Sequence, residues 1–81
     1  MNIISQDMSR LIKIKSAEQV EVREILGGGA HIMIRDESGE YVDMGVFLEY
    51  ESAERCQSEL IKMFEADKAI FIISPDDGGA P

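Results

Sequence analysis

Residues 52–67 read SAERCQSELIKMFEAD, the segment with the clearest helical pattern in the chain. Its apolar residues recur at the spacing of one helical face, at Ala53, Cys56, Leu60, Met63 and Phe64. Charged and polar residues fill the opposite face. Ser52 suits the N-cap, because its hydroxyl can accept a hydrogen bond from a first-turn N–H. The pattern predicts one amphipathic helix whose apolar side covers a sheet.

The segment before this helix has the alternation typical of strands with one wet face. Residues 19–48 contain three alternating runs joined by two glycine-containing turns, which predicts a three-stranded antiparallel meander. Gly27, Gly28 and Gly29 form the first of these turns and supply the positive φ angles that a tight reversal needs. Residues 2–5 and 10–15 predict an earlier hairpin.

After the helix, residues 69–73 form a short unbroken apolar run. Such a run predicts a strand buried on both faces, or an edge strand covered by the helix. The fold class predicted for residues 1–75 is α+β, with an antiparallel meander sheet of five or six strands packed on a single amphipathic helix. Residues 76–81 are polar and glycine-rich, and we expect a mobile C-terminal tail there.

Composition limits the class of function. The chain has 81 residues, 44% of them hydrophobic, and a net charge of −8, which predicts one small folded domain with an acidic surface. That charge repels phosphates and anionic lipids, so neither nucleic acid nor membrane is an expected direct partner. Cys56 is the only cysteine and lies on the apolar helix face, which predicts a buried free thiol in a reducing cytoplasm. The sequence also lacks a signal-peptide pattern and an apolar run of membrane-spanning length.

No pattern in the chain indicates chemistry. The three glycines precede a strand and are not followed by Lys-Ser or Lys-Thr, so a turn is favoured over a phosphate-binding loop. His31 is the only histidine and is interpreted as an exposed or half-buried packing residue. The acidic turn at residues 36–40 lacks the calcium-loop pattern. We therefore expect no catalytic residue, no metal ligand set and no cofactor.

Several short motifs spread over the chain carry a resemblance. They are Ile3-Ile4-Ser5-Gln6-Asp7, Leu11-Ile12-x-Ile14, Gly45-x-Phe47, Glu54-Arg55-Cys56 and the hydrophobic strand that closes on Ser74-Pro75. In these motifs the chain resembles a group of short, mostly uncharacterised proteins of Gram-positive bacteria and their phages. The resemblance implies a strand-rich fold with one helix and a phage or mobile-element setting. It implies no activity.

Three hypotheses of function follow. The leading one is a non-enzymatic protein-binding module, an adaptor or regulator, which includes a homodimer formed through an exposed sheet edge or through residues 70–73. The second is a phage-type inhibitor whose acidic face occupies the nucleic-acid-binding groove of a host protein. The third, an enzyme or small-ligand binder, has the least support, because a core this small leaves little room for a pocket. The candidate partner-facing residues are Glu18, Glu21, Glu24, Glu49, Glu51, Glu54 and Glu59.

Overall fold

The computed structural model describes residues 1–76, which form six strands and one α-helix. The strands are β1 (Asn2–Ile4), β2 (Leu11–Lys13), β3 (Val20–Glu24), β4 (Ala30–Arg35), β5 (Tyr41–Phe47) and β6 (Ile70–Ile72), and the helix α1 spans Tyr50–Glu65. A short 3-10 helix, Ala17–Gln19, precedes β3. The α+β class is confirmed. Of the expected tail, residues 77–81 lie outside the described residues, whereas Asp76 accepts a 2.6 Å hydrogen bond from the Leu48 N–H.

The strands form two three-stranded sheets, so the expectation of one meander sheet was wrong. The second sheet, in the order β3-β4-β5, is the antiparallel meander predicted for residues 19–48. The first sheet has the order β2-β1-β6, and its β1–β2 pair is the predicted hairpin. The remaining strand, β6, runs parallel to β1. The chain makes a long crossover through α1 before β6, and a crossover permits parallel pairing with a strand distant in sequence.

The helix α1 packs its apolar side against the second sheet. Ala53, Cys56 and Leu60 are buried on this side, as the periodicity predicted. The Gln57 side chain adds a polar contact, because its amide donates a 3.2 Å hydrogen bond to the Val20 carbonyl. The helix therefore covers the inner face of the meander.

The start of α1 differs from the sequence prediction. The N-cap is Glu49, which makes no side-chain capping bond, and the Ser52 N–H already donates to the Glu49 carbonyl at 3.2 Å. Ser52 was therefore wrongly predicted as the cap, and its hydroxyl instead accepts a 3.4 Å bond from the Arg55 guanidinium. Glu51 lies in the first turn. Its charge is favourable there because the helix N-terminus carries a partial positive charge.

Gln6 connects the two sheets. Its N–H donates to the Met44 carbonyl at 2.8 Å, and its side-chain oxygen accepts from the Val46 N–H at 3.0 Å. Its side-chain amide donates to the Ser74 carbonyl at 3.1 Å. Gly45 fits this junction, because a Cβ there would lie 3.2 Å from the Cβ of Gln6. One core results, and its fully buried large apolar side chains are Ile3, Ile14, Ile32, Ile34, Met44, Leu60 and Ile73.

The strand β6 is an edge strand with one uncovered face. Ile73, just beyond its end, is fully buried, but Ile70 and Ile72 are 57% and 48% exposed. The prediction of a strand buried on both faces was therefore wrong. The alternative prediction of an edge strand is correct, but the face of β6 that carries Ile70 and Ile72 is not covered. An unbroken apolar run does not reveal which of its two faces meets the core.

Candidate functional site

The outer face of the first sheet carries an exposed apolar patch. The strand register aligns Leu11, Ile4 and Ile72 in one row across the three strands, on the face opposite the core. Ile70 lies in the next row, beside Asn2. We call Ile4, Leu11, Ile70 and Ile72 the apolar patch. Leu11 is 62% exposed, and the chain has no carboxylate at any of the six strand positions on this face.

The strand β2 leaves one backbone edge open. Arg10 and Ile14 make backbone hydrogen bonds of 2.9 Å to the β1 side. Because bonding alternates along an antiparallel strand, Leu11 and Lys13 between them direct their N–H and C=O groups away from β1. Both residues are exposed. The free edge of β2 therefore offers donors and acceptors to another strand.

The strand β6 leaves the opposite edge open. Ala69 and Ile73 make backbone bonds of 2.9 and 3.0 Å to the β1 side. The intervening Ile70 and Ile72 direct their backbone groups away from β1 by the same alternation. These two residues also belong to the apolar patch, so an open edge and apolar side chains coincide at β6.

Four of the candidate partner-facing glutamates lie on α1 or immediately before it. Glu49 precedes α1, and Glu51, Glu54 and Glu59 lie on the helix, all of them exposed. Arg55 and Lys62 are also exposed on this helix, so its solvent side has mixed charge with an acidic excess.

The other three candidates lie elsewhere. Glu18 is exposed in the 3-10 helix, and Glu24 is exposed at the end of β3. Glu21 pairs with Met33, which places it on the face of the second sheet opposite α1. It makes a 3.0 Å ion pair with Arg23. The structure therefore does not bring Glu21 onto the helix surface.

His31 lies beside a small open cavity. It is half-buried, and its Nδ1 lies 3.0 Å from Oδ2 of Asp43. The two atoms are within ion-pair distance, but Nδ1 makes no hydrogen bond to any group in residues 1–76. The cavity measures about 230 Å³, and its described lining residues include no serine, threonine, cysteine or lysine. Among the described lining residues, the side chains beside the pair are the amide of Gln6, the carboxylate of Asp7 and apolar groups.

Asp7, at the rim of the same cavity, has a structural use. Its carboxylate accepts hydrogen bonds from the Ser9 hydroxyl at 2.6 Å, the Ser5 hydroxyl at 2.7 Å and the Ser9 N–H at 3.0 Å. These bonds, the one from the Ser9 hydroxyl foremost, lower the pKa of Asp7 to about 2. The carboxylate is thus held charged within the β1–β2 turn.

Cys56 is buried and free. Burial, with a smaller contribution from the charge of Glu59, raises the pKa of the thiol to about 11. At neutral pH the thiol is protonated and packs as a small apolar side chain, since the thiolate is the nucleophilic form.

Residues 1–76 contain no group of three or more histidine, cysteine, aspartate or glutamate side chains placed to hold a metal ion. None of the helices in that part of the chain has the length and apolar content needed to cross a membrane.

Comparison with known protein families found no family model that matches this sequence. Comparison with curated proteins found no match, and comparison with solved structures found none. The resemblance to short proteins of Gram-positive bacteria and their phages stays a prediction.

The sequence analysis identified only part of the apolar patch. It considered residues 70–73 for self-association but left out Leu11 and Ile4. The available signal was the parity of the second run, where Leu11 alternates with Ile12 and Ile14 and so lies on the opposite face. For Ile4 the sequence offered no such signal, because Ile3 and Ile4 are adjacent and identical in type.

Proposed function

We propose that this protein is a small, acidic, non-enzymatic protein-binding module that acts as an adaptor or regulator in the cytoplasm. The apolar patch is the observation that carries the proposal. Its members Leu11, Ile70 and Ile72 are each about half exposed or more, and they lie on a sheet with two open edges. Contiguous exposed apolar surface and an unpaired sheet edge both favour binding to another protein.

The proposal includes a homodimer in which the β6 strands of two copies pair antiparallel. Pairing centred on Phe71 places Ile70 of one protomer opposite Ile72 of its partner, and cross-strand apolar pairs of this kind stabilise a sheet. Edge strands that avoid pairing usually carry a lysine, a proline or a bulge. The three residues of β6 include none of these. Such pairing would join two first sheets into one sheet of six strands.

The homodimer predicts a specific response to Ile72→Lys. We expect the wild-type protein to sediment as a dimer at low micromolar concentration. The variant should dissociate at least about tenfold more readily, because a lysine on an edge strand disfavours pairing. Analytical ultracentrifugation measures both states. Leu26→Lys, at a fully exposed position in the β3–β4 connection, is the control and should leave the dimer intact. A wild-type protein that is strictly monomeric would remove the homodimer from the proposal.

A second candidate function uses the acidic residues of α1. The exposed group Glu49, Glu51, Glu54 and Glu59 supports a phage-type inhibitor that occupies the nucleic-acid-binding groove of a host protein. Here the negative side chains would replace the phosphates that the host groove normally binds.

Salt dependence separates the two candidates. Binding through the acidic residues should weaken steeply between about 0.05 and 0.2 M salt, because screening reduces charge attraction over that range. Binding through the apolar patch should change little. The measurement is affinity against salt for a partner captured from the native host, with Glu51→Gln/Glu54→Gln as the matched variant. An affinity that is flat with salt and unchanged in that variant would contradict the inhibitor.

A further inference from the structure

We infer that the groove beside β2 binds an extended acidic segment of a partner protein, which adds to the first sheet as a further strand. The inference rests on the proposed protein-binding function and names the chemistry of the partner. The β2 groove is a depression of about 510 Å³ between residues 10–13 and the β4–β5 turn, residues 36–38, with Val42 in its lining.

The backbone of β2 provides the pairing groups. Leu11 and Lys13 direct their N–H and C=O groups away from β1, toward the side where β2 has no neighbouring strand. An extended segment bound there gains main-chain hydrogen bonds whatever its side chains are. The edge is short, so the side chains along it decide which segments bind.

Basic residues are concentrated along this edge. Arg10 and Lys13 line the β2 groove, and Lys13, Lys15 and Arg35 line an adjoining cavity of about 440 Å³. These four are half of the eight basic residues in a chain of net charge −8. Within residues 1–76 the ion pairs involve none of them. A partner with carboxylates would supply the missing opposite charges.

The wall of the β2 groove that faces β2, formed by the β4–β5 turn, carries two acidic residues. Asp36 accepts hydrogen bonds from the Ser38 hydroxyl at 2.6 Å, the Ser38 N–H at 2.9 Å and the Glu40 N–H at 3.1 Å. These bonds, led by the one from the Ser38 hydroxyl, lower the pKa of Asp36. The charged carboxylate is therefore engaged in hydrogen bonds within the β4–β5 turn. Glu37 is exposed beside it. The acidic side chains of the partner therefore lie along β2, away from this turn.

The strand register predicts the partner pattern. Leu11 and Lys13 share the outer face of the sheet, two residues apart. A strand paired with β2 places one residue beside each of them, so its outward side chains are apolar beside Leu11 and acidic beside Lys13. The residue between them faces the groove near Ile12 and Val42, where an apolar side chain fits.

A second copy of this chain fits the β2 edge poorly. Antiparallel self-pairing of β2 would bring Arg10, Lys13 and Lys15 of both copies onto one short strand pair. Like charges so close destabilise a strand pair. The β6 edge has no such conflict, which assigns self-association to β6 and the acidic partner to β2.

A designed peptide tests the inference on the full-length protein. The probe is a fluorescein-labelled peptide of sequence Ser-Glu-Val-Asp-Val-Val-Ser, measured by fluorescence anisotropy. In antiparallel register it places its aspartate beside Lys13, its last valine beside Leu11 and the valine between them toward the groove. Two controls accompany it, one with lysine at both acidic positions and one with N-methylated backbone amides. Of the three peptides, we expect only the unmodified acidic peptide to show saturable binding. Lys13→Glu should weaken that binding at least about tenfold, whereas Lys62→Glu, the same charge change at an exposed position on α1, should leave it unchanged.

Amide chemical shifts of the wild-type protein provide a second readout that needs no variant. The largest shifts on adding the acidic peptide should fall on the N–H groups of Leu11 and Lys13. The inference is overturned if no saturable binding occurs up to millimolar peptide. It is also overturned if Lys62→Glu weakens binding as much as Lys13→Glu does, or if the largest shifts fall on α1 or β6. Dimerisation through β6 is judged separately by Ile72→Lys, so the proposed function can stand or fail independently.

Discussion

Leu60→Ala is expected to lower the free energy of unfolding by about 2–5 kcal/mol. The side chain of Leu60 is fully buried where α1 meets the second sheet, so its loss removes apolar contacts and leaves a cavity. A domain of this size has a total stability of only about 5–15 kcal/mol. The change therefore removes a large part of what holds α1 on the sheet. Urea denaturation followed by circular dichroism measures it.

The matched control for Leu60 is Leu26. It is the same residue type but lies fully exposed at the β3–β4 connection. Leu26→Ala should change the free energy of unfolding by less than about 0.5 kcal/mol. Equal losses at the two positions would contradict the packing of α1 on the second sheet.

Gly29→Ala is expected to destabilise the protein strongly for two reasons that a control can separate. Gly29 has φ +86, where an alanine costs about 1–2 kcal/mol. In addition, a Cβ at this position would lie 2.6 Å from the backbone oxygen of Phe47, an atom that cannot move without shifting β5. Relief of such a clash should cost about 1–3 kcal/mol more. Thermal and urea unfolding measure the combined loss.

Gly39 isolates the first of these terms. It has φ +89, almost the same as Gly29, but open space surrounds its Cβ position. Gly39→Ala should therefore show only the backbone strain. If the two alanine variants lose the same stability, the close approach between the β3–β4 connection and the end of β5 is wrong.

The proposed binding surfaces depend on the division into two sheets. In a single meander β6 would have lain beside β5, and its apolar residues would have extended the second sheet under α1. Pairing with β1 instead places Ile70 and Ile72 at an edge, on a face that carries no carboxylate. The open edges of β2 and β6 then differ in charge, which assigns them to different partners in the two proposals.

The sequence by itself determined the local elements and their faces. The 3.6-residue period identified Ala53, Cys56 and Leu60 as buried, because side chains at that spacing project from one side of a helix. Alternation across residues 19–48 identified the meander, since successive side chains of a strand point to opposite faces. The glycine turn was also predictable, because glycine adopts positive φ angles without steric cost. All three of its glycines have positive φ angles in the structure.

Only the tertiary structure decided how these elements combine. The parallel pairing of β6 with β1 joins residues nearly 70 positions apart, and no local pattern records which distant strand is the partner. The bulge at Met44 in β5 reverses the alternation beyond it, so that Phe47 is buried and Val46 is exposed, but the alternating sequence of β5 carries no mark of it. The helix start at Tyr50 was likewise set by backbone bonding to Glu49, which outweighed the capping preference of Ser52. Side-chain periodicity encodes faces, whereas edges, junctions and exposed patches arise from contacts between segments far apart in the chain.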